Sequence, residues 1–284
     1  MEALHCTWAK PRIEACESFF IEDFDILTTI LSALKWREKN GKITMITDSI
    51  GYGFYKSRNL LGLWDEVSLD LDCIPEGIDA KSFWAAGKLF ALKNATSTVA
   101  LIDTDFIVWD KLAFDNMPDL TVIHSEDIYP DVYPEIGHFK MKQGYIFNPD
   151  FNWTCRPYNT AFSVFKSENL KNVFCDEAIS FMENAIPQDN LTYMVFAEQR
   201  LLSMVAEMTK SKVLEISTIE SLFRDGERYF THTWGMKQQM REDASLRYDF
   251  CKKCIRRISD DFPEYIPILK EIPEIKEIFI EDDT

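Results

Sequence analysis

Two acidic residues one position apart interrupt an otherwise apolar run, Val99-Ala100-Leu101-Ile102-Asp103-Thr104-Asp105-Phe106-Ile107-Val108-Trp109. A strand that is apolar on both sides of such a pair belongs in the middle of a covered sheet. Two neighbouring carboxylates there are costly unless something positive offsets them. Spaced i, i+2 on a regular strand, both side chains share one face, and at a strand end their oxygens reach one hard divalent cation such as Mg2+ or Mn2+. Metal binding is the expectation for Asp103 and Asp105. The competing reading is a surface turn with solvated acids.

The surrounding elements alternate. Ala3–Trp8 and Lys42–Thr47 read as strands, each followed by a helix, over Phe20–Lys39 and Tyr52–Leu63. Glu66–Leu71 is a weaker strand, Lys81–Asn94 a helix and Thr98–Trp109 a single buried strand. Repeated βα units predict an open, largely parallel α/β sheet whose ligands bind beyond the carboxyl ends of its strands. After Leu120 the pattern turns α+β, with short strands at Thr121–His124, Gly144–Asn148, Ala161–Phe165 and Lys212–Ile216, and helices over Glu177–Asn184, Leu191–Met208 and Ser245–Ile258. The end, Asp261–Thr284, carries eight acids against two lysines and is expected to be a peripheral, partly mobile extension.

Composition narrows the function. A net charge of −16 over 284 residues repels phosphate backbones and disfavours a nucleic-acid partner. No apolar stretch approaches the roughly 20 residues that span a bilayer, and Met1–Arg12 lacks the apolar core of a signal peptide. Seven scattered cysteines fit reduced thiols, and the expected location is the cytoplasm. Cys251-Lys-Lys-Cys254 has no second pair to complete a zinc site. Lys252, Lys253, Arg256 and Arg257 form a basic helix face, read either as solvated or as a peripheral contact with anionic lipid or a charged glycan at the inner face of the membrane. Asp48, ending the second strand, either caps the next helix or holds a base or ribose. Trp8 is either core or a base-stacking platform.

Four further segments stand in order around the acidic pair. Phe83-Trp84-Ala85-Ala86-Gly87-Lys88-Leu89 precedes it; Tyr158-Asn159-Thr160-Ala161-Phe162, Ala197-Glu198-Gln199-Arg200-Leu201-Leu202 and His232-Thr-Trp-Gly235-Met-Lys237 follow. With the Asp-x-Asp they resemble glycosyltransferases of the GT-A fold, most closely the retaining group that includes bacterial lipopolysaccharide galactosyltransferases and glycogenin. The family's usual Arg before the acidic pair falls on Ala86, its usual Gly in the Asn-x-Gly strand on Ala161, and its His-x-x-Gly-x-x-Lys motif is one residue short here.

The resemblance implies a GT-A (Rossmann-like) open mixed sheet over residues 1–240, flanked by helices, with an α+β acceptor side and a helical extension over 241–284. It implies metal ligation by Asp103, Asp105 and His232, an O,O,N set that suits Mn2+ (or Mg2+). Donor contacts fall to Asp48, Lys88, Thr104, Asn159 and Lys237, and the groups beside the reaction centre are Glu198 and Gln199. The implied activity moves a hexose from a nucleotide-diphosphate sugar, a UDP-sugar first, to a glycan or glycolipid acceptor, as in surface polysaccharide synthesis. Two other readings compete. One is a haloacid-dehalogenase-type phosphatase with Asp103 as nucleophile and Asp105 as acid; the other is a nucleotide-sugar-binding protein without turnover.

Overall fold

The structure, a computed structural model, describes residues 1–95, 98–224 and 229–282, and the side chains of all of these except 222–224 and 280–282. The strands are β1 (Glu2–Thr7), β2 (Ile43–Thr47), β3 (Glu66–Ser68), β4 (Val99–Ile102), β5 (Phe106–Val108), β6 (Leu120–Val122), β7 (Phe162–Phe165), β8 (Val213–Glu215) and β9 (Phe230–His232). Seven of them form one sheet in the order β3-β2-β1-β4-β7-β6-β8, and β5 and β9 form a separate two-stranded ribbon. In the large sheet only β7 runs against the rest. The architecture is therefore the expected α/β, Rossmann-like open mixed sheet.

Helices cover both faces. They are α1 (Lys10–Cys16), α2 (Asp23–Lys39), α3 (Ser49–Ser57), α4 (Ala86–Asn94), α5 (Glu168–Asn184), α6 (Thr192–Val195), α7 (Leu201–Met208), α8 (Ile219–Arg224), α9 (Lys237–Glu242), α10 (Ala244–Asp261), α11 (Ile266–Glu271) and α12 (Lys276–Asp282). Successive strand side chains point to opposite faces. Ala3, Ala100, Ile102 and Phe162 pack in one core with α2 and α10, and Leu4, Val99, Leu101 and Phe165 pack in the other with α4, α5 and α7. Among the described residues no helix is long and apolar enough to cross a membrane.

The reversal of β7 decides where the site lies. Its amino end sits at the same edge as the carboxyl ends of β1 and β4, and the Asp103 amide donates to the Ala161 carbonyl at 2.7 Å. Segments more than 50 residues apart in sequence thus meet at one rim.

The run Thr98–Trp109 is not the single strand that its apolar character predicts. It breaks after Ile102 in a turn closed by the Phe106 amide on the Asp103 carbonyl at 2.9 Å, and resumes as β5 in the other sheet. Asp103 and Asp105 consequently sit in a turn and do not share one strand face. β5 pairs antiparallel with β9 and sets His232 opposite Phe106.

A buried chain of hydrogen bonds fixes this turn from below. Trp64 Nε1 donates to His5 Nδ1 at 3.1 Å, His5 Nε2 to Ser32 Oγ at 2.9 Å, and Ser32 Oγ to the Phe106 carbonyl at 2.5 Å. Because Nδ1 accepts, Nε2 carries the proton of a neutral ring. Burial pushes the His5 pKa down to about 3, with Asp105 opposing.

Gly87 lets α4 approach. A Cβ there would lie 2.9 Å from Trp8 Cβ and 3.1 Å from Cys6 Sγ, so any larger residue would push α4, and Lys88 with it, away from β1. The helix starts at Ala86, five residues later than its apolar pattern predicts, because the Asp79 carboxylate ties the Ser82 amide at 2.8 Å in a turn.

Other differences are local. Gly144–Asn148 forms no strand; Gly144 adopts φ +96°, a turn conformation. The helix expected from Glu177 begins at Glu168, capped by Ser167. Where described, the acidic end packs one apolar face onto the body of the protein. Leu269, Ile272 and Ile275 are fully buried in the α2 core, and Glu274 pairs with Arg58. Asp283 and Thr284 lie outside the described residues.

Candidate active site

The carboxyl ends of β1 and β4, the residues beyond β6 and the approach to β7 enclose a cavity of about 670 Å³. From the β4 turn come Asp103, Thr104 and Asp105, and from α4 comes Lys88. Asn159 enters ahead of β7, Glu198 and Gln199 from the segment between α6 and α7, and His232 and Lys237 from β9 and α9. Of the site residues selected in the sequence, Asp48 alone is outside this lining. Its Oδ1 accepts from the Gly51 amide at 2.7 Å and its Oδ2 from the Ala9 amide at 2.8 Å, so it caps α3 and ties α1 to it.

Asp103, Asp105 and His232 each present a ligand atom, and these lie within 4.8 Å of one another. An ion about 2.1 Å from each ligand spans at most about 4.2 Å between them, so sub-ångström side-chain shifts complete the set. Two carboxylate oxygens and an imidazole nitrogen fit Mn2+ well. Burial pushes the His232 pKa down to about 4, against the pull of Asp105, which leaves the ring neutral with a lone pair for a metal at neutral pH. Burial also pushes the Asp103 carboxyl up to about 6, with Lys88 opposing and Asp105 adding. For Asp105 burial acts the same way, but the Lys237 ammonium outweighs it and holds its carboxyl below the usual range.

The positive charge that the half-buried Asp103 and the buried Asp105 demand comes in part from the chain itself. Lys88 Nζ lies 2.7 Å from Asp103 Oδ1 and also meets Glu198. Lys237 Nζ lies 2.9 Å from Asp105 Oδ2 and 2.9 Å from Asp25 Oδ1. Burial alone would lower both lysine pKa values, yet the flanking carboxylates raise them, so both stay charged. Arg12, 3.6 Å from Asp25, adds a third cation at the same end.

Glu198 and Gln199 sit in a π-helical turn, Phe196–Arg200, inserted between α6 and α7. Such turns displace side chains from the regular helical register and are frequent at functional sites. Here Glu198 is 4% exposed, accepting from Thr160 Oγ1 at 2.8 Å beside Lys88. Gln199 faces a polar wall that no sequence motif marks: the Tyr133 hydroxyl lies 2.5 Å from its amide oxygen and 2.7 Å from Glu126 Oε2. Asn159 Nδ2 donates to Glu126 Oε1 at 3.0 Å. Arg200, almost fully buried, donates to the carbonyls of Tyr133, Pro134 and Trp153 and pins the loop that forms this wall.

Sequence reading missed Asp25, Arg12, Glu126 and Tyr133. Asp25 looks like an ordinary acid in the first turn of a helix, Arg12 sits on the short helix α1, and Glu126 and Tyr133 lie in loops with no periodicity to mark them.

Loose structural likenesses extend over most of the chain. PaToxG glycosyltransferase matches at 13% identity and a TM-score of 0.42, covering 79% of this chain and 72% of its own. Mouse xyloside xylosyltransferase 1, in its apo form, matches at 12% and 0.42, covering 76% and 85%. An active-site mutant of LgtC matches at 12% and 0.37, covering 76% and 72%. At these scores the fold assignment rests on the strand order itself. No curated protein matches the sequence. A family model matches residues 1–270, nearly the whole chain, and on that match the protein belongs to a family of unknown function, DUF6734.

Proposed function

We propose that the protein is a metal-dependent glycosyltransferase that moves a hexose from a nucleotide-diphosphate sugar, a UDP-sugar first, to a glycan or glycolipid acceptor. One observation carries this reading: the segments resembling GT-A motifs, spread from Lys88 to Lys237, converge on a single cavity around two acids and a neutral histidine. Transfer breaks the bond between the anomeric carbon and the diphosphate, so negative charge grows on the leaving group. A divalent cation held by Asp103, Asp105 and His232 supplies Lewis-acid neutralisation of that charge. Lys237 and Lys88 stand beside the same ligands and add ammonium donors. Thr104 and Asn159 line the donor side, and Gln199, oriented by Tyr133, presents a polar group to the sugar.

The phosphatase reading has less support. It needs Asp105 as a proton donor, and the Lys237 ammonium 2.9 Å away keeps that carboxyl ionised. Peripheral contact with an anionic membrane surface belongs to the proposal through Lys253 and Arg256, exposed on α10; Arg257 is already engaged by Asp261 at 2.6 Å.

A ligand bound only by the native state raises the melting temperature. At 100 times its Kd the stabilisation is about 2.7 kcal/mol, or roughly 5–10 °C for a chain of this size. A screen of UDP-glucose, UDP-galactose and other nucleotide sugars should produce such a shift for one of them with Mn2+ and a smaller one without it. Flat melting curves across the whole panel, with and without Mn2+, would contradict the proposal.

A further inference from the structure

The two cavity lysines stand in matching positions. Lys88 bridges Asp103, a ligand candidate, and Glu198, which is outside the ligand set. Lys237 bridges Asp105, also a ligand candidate, and Asp25, outside it. Each ammonium therefore touches one carboxylate that a cation would need and one that it would not. The arrangement is tight: the Lys88 and Lys237 side chains are 12% and 26% exposed, and the two outer carboxylates are 5% and 8% exposed.

Electrostatics makes the first contact exclusive. An oxygen that ligates a divalent ion at about 2.1 Å cannot keep an ammonium group 2.7–2.9 Å away without setting that ammonium close to the ion. Like charges at such range repel strongly where water is scarce. The outer carboxylates change the consequence. A lysine displaced from Asp103 or Asp105 remains charged and anchored by Glu198 or Asp25, with the N–H donors that had faced the ligand set now free.

We propose that Lys88 and Lys237 make the site selective for a cation together with a polyphosphate anion over a cation alone, Glu198 and Asp25 serving as the anchors that hold the displaced lysines in place. A free divalent ion must break two ion pairs and meet two ammonium groups. The same ion carrying a diphosphate brings negative oxygens that accept from the released lysines and cancel the repulsion. Binding of the ion and of the anion is thus mutually reinforcing, and by linkage each strengthens the other by the same factor. This inference rests on the metal-dependent reading above and adds to it a sign that the metal ligands alone do not give: removing a lysine should improve binding of the bare ion while weakening the response to the anion.

The test uses the full chain, Mn2+ and UDP, with Mn2+ affinity followed by calorimetry or by the loss of the free Mn2+ electron-spin signal, with and without saturating UDP. For the wild type, UDP should tighten Mn2+ by at least about tenfold. Lys88→Met and Lys237→Met should each bind Mn2+ alone about 10- to 100-fold more tightly than wild type, and the tightening by UDP should shrink correspondingly. Lys237→Arg, which keeps the charge, should restore wild-type behaviour. If a methionine variant does not fold, the other variant and the wild-type measurement still decide. Lysine variants that bind Mn2+ no better than wild type, with the UDP effect unchanged, overturn the inference and leave the metal site standing. Absence of Mn2+ binding in wild type and variants alike, with or without UDP, removes the metal site and the proposed function with it.

Discussion

Asp103→Asn and Asp105→Asn are each expected to leave the protein folded and to weaken Mn2+ binding by at least about 100-fold, more than the 10- to 100-fold that loss of an outer-shell partner causes. Folding survives because neither substitution strands a buried cation. Lys88 keeps Glu198 when Asp103 is neutralised, and Lys237 keeps Asp25 when Asp105 is. Metal-dependent nucleotide binding should disappear with the metal, since the lysines alone are left to hold the diphosphate. Calorimetry on both variants, with circular dichroism as the control for folding, checks this. Unchanged Mn2+ and UDP affinities would show that the two carboxylates are held only by the lysines and do not ligate.

Gln199→Ala is expected to lower sugar transfer by roughly 10- to 1,000-fold, the range seen when one polar stabiliser of a developing charge is removed, while Mn2+ and UDP affinities stay at wild-type values. The side chain lines the cavity with its amide against the Tyr133 hydroxyl, whose single proton both Gln199 and Glu126 approach, so the amide is positioned before substrate arrives. The matching Glu198→Ala experiment reads differently in the light of the geometry. Glu198 is buried under Lys88, so its loss should disturb the lysine and the metal affinity as well as turnover. Steady-state kinetics on the identified donor separates the two: a fall in kcat without a change in donor affinity for Gln199→Ala, and a change in both for Glu198→Ala. Full transfer rates in both variants would place the reaction centre elsewhere along the cavity.

How far the sequence reveals this site depends on what kind of signal each part leaves. The buried strand, the acids that end it and the βα alternation are local patterns, and β1, β2, β4 and α2 appear close to where apolar periodicity puts them. The order of the later motifs is legible because each is a short cluster of unusual residues. The break after Ile102 is not legible, because β5 is as apolar as β4; it leaves the large sheet to pair with β9, and that pairing joins residues more than 120 positions apart. The same applies to the compensation of charge. Nothing in the spacing of Asp25, Asp105 and Lys237 reveals that one ammonium lies 2.9 Å from both carboxylates, because three separate elements bring them together. The packing of the acidic end is hidden for a related reason. Its charges dominate composition, but Leu269, Ile272 and Ile275 recur every three residues and bury the face on which the segment packs.

The chemistry proposed for the cavity is cleavage of the bond between a sugar and a nucleoside diphosphate with the help of a divalent cation. The most direct measurement is release of the nucleoside diphosphate from a panel of nucleotide sugars by the purified protein, with Mn2+ and with a chelator, and with p-nitrophenyl phosphate as the competing substrate. At least one nucleotide sugar should be cleaved, the chelator and Asp105→Asn should each abolish the cleavage, and p-nitrophenyl phosphate should be left intact. Metal-dependent hydrolysis of p-nitrophenyl phosphate, with every nucleotide sugar untouched, would contradict the proposed chemistry.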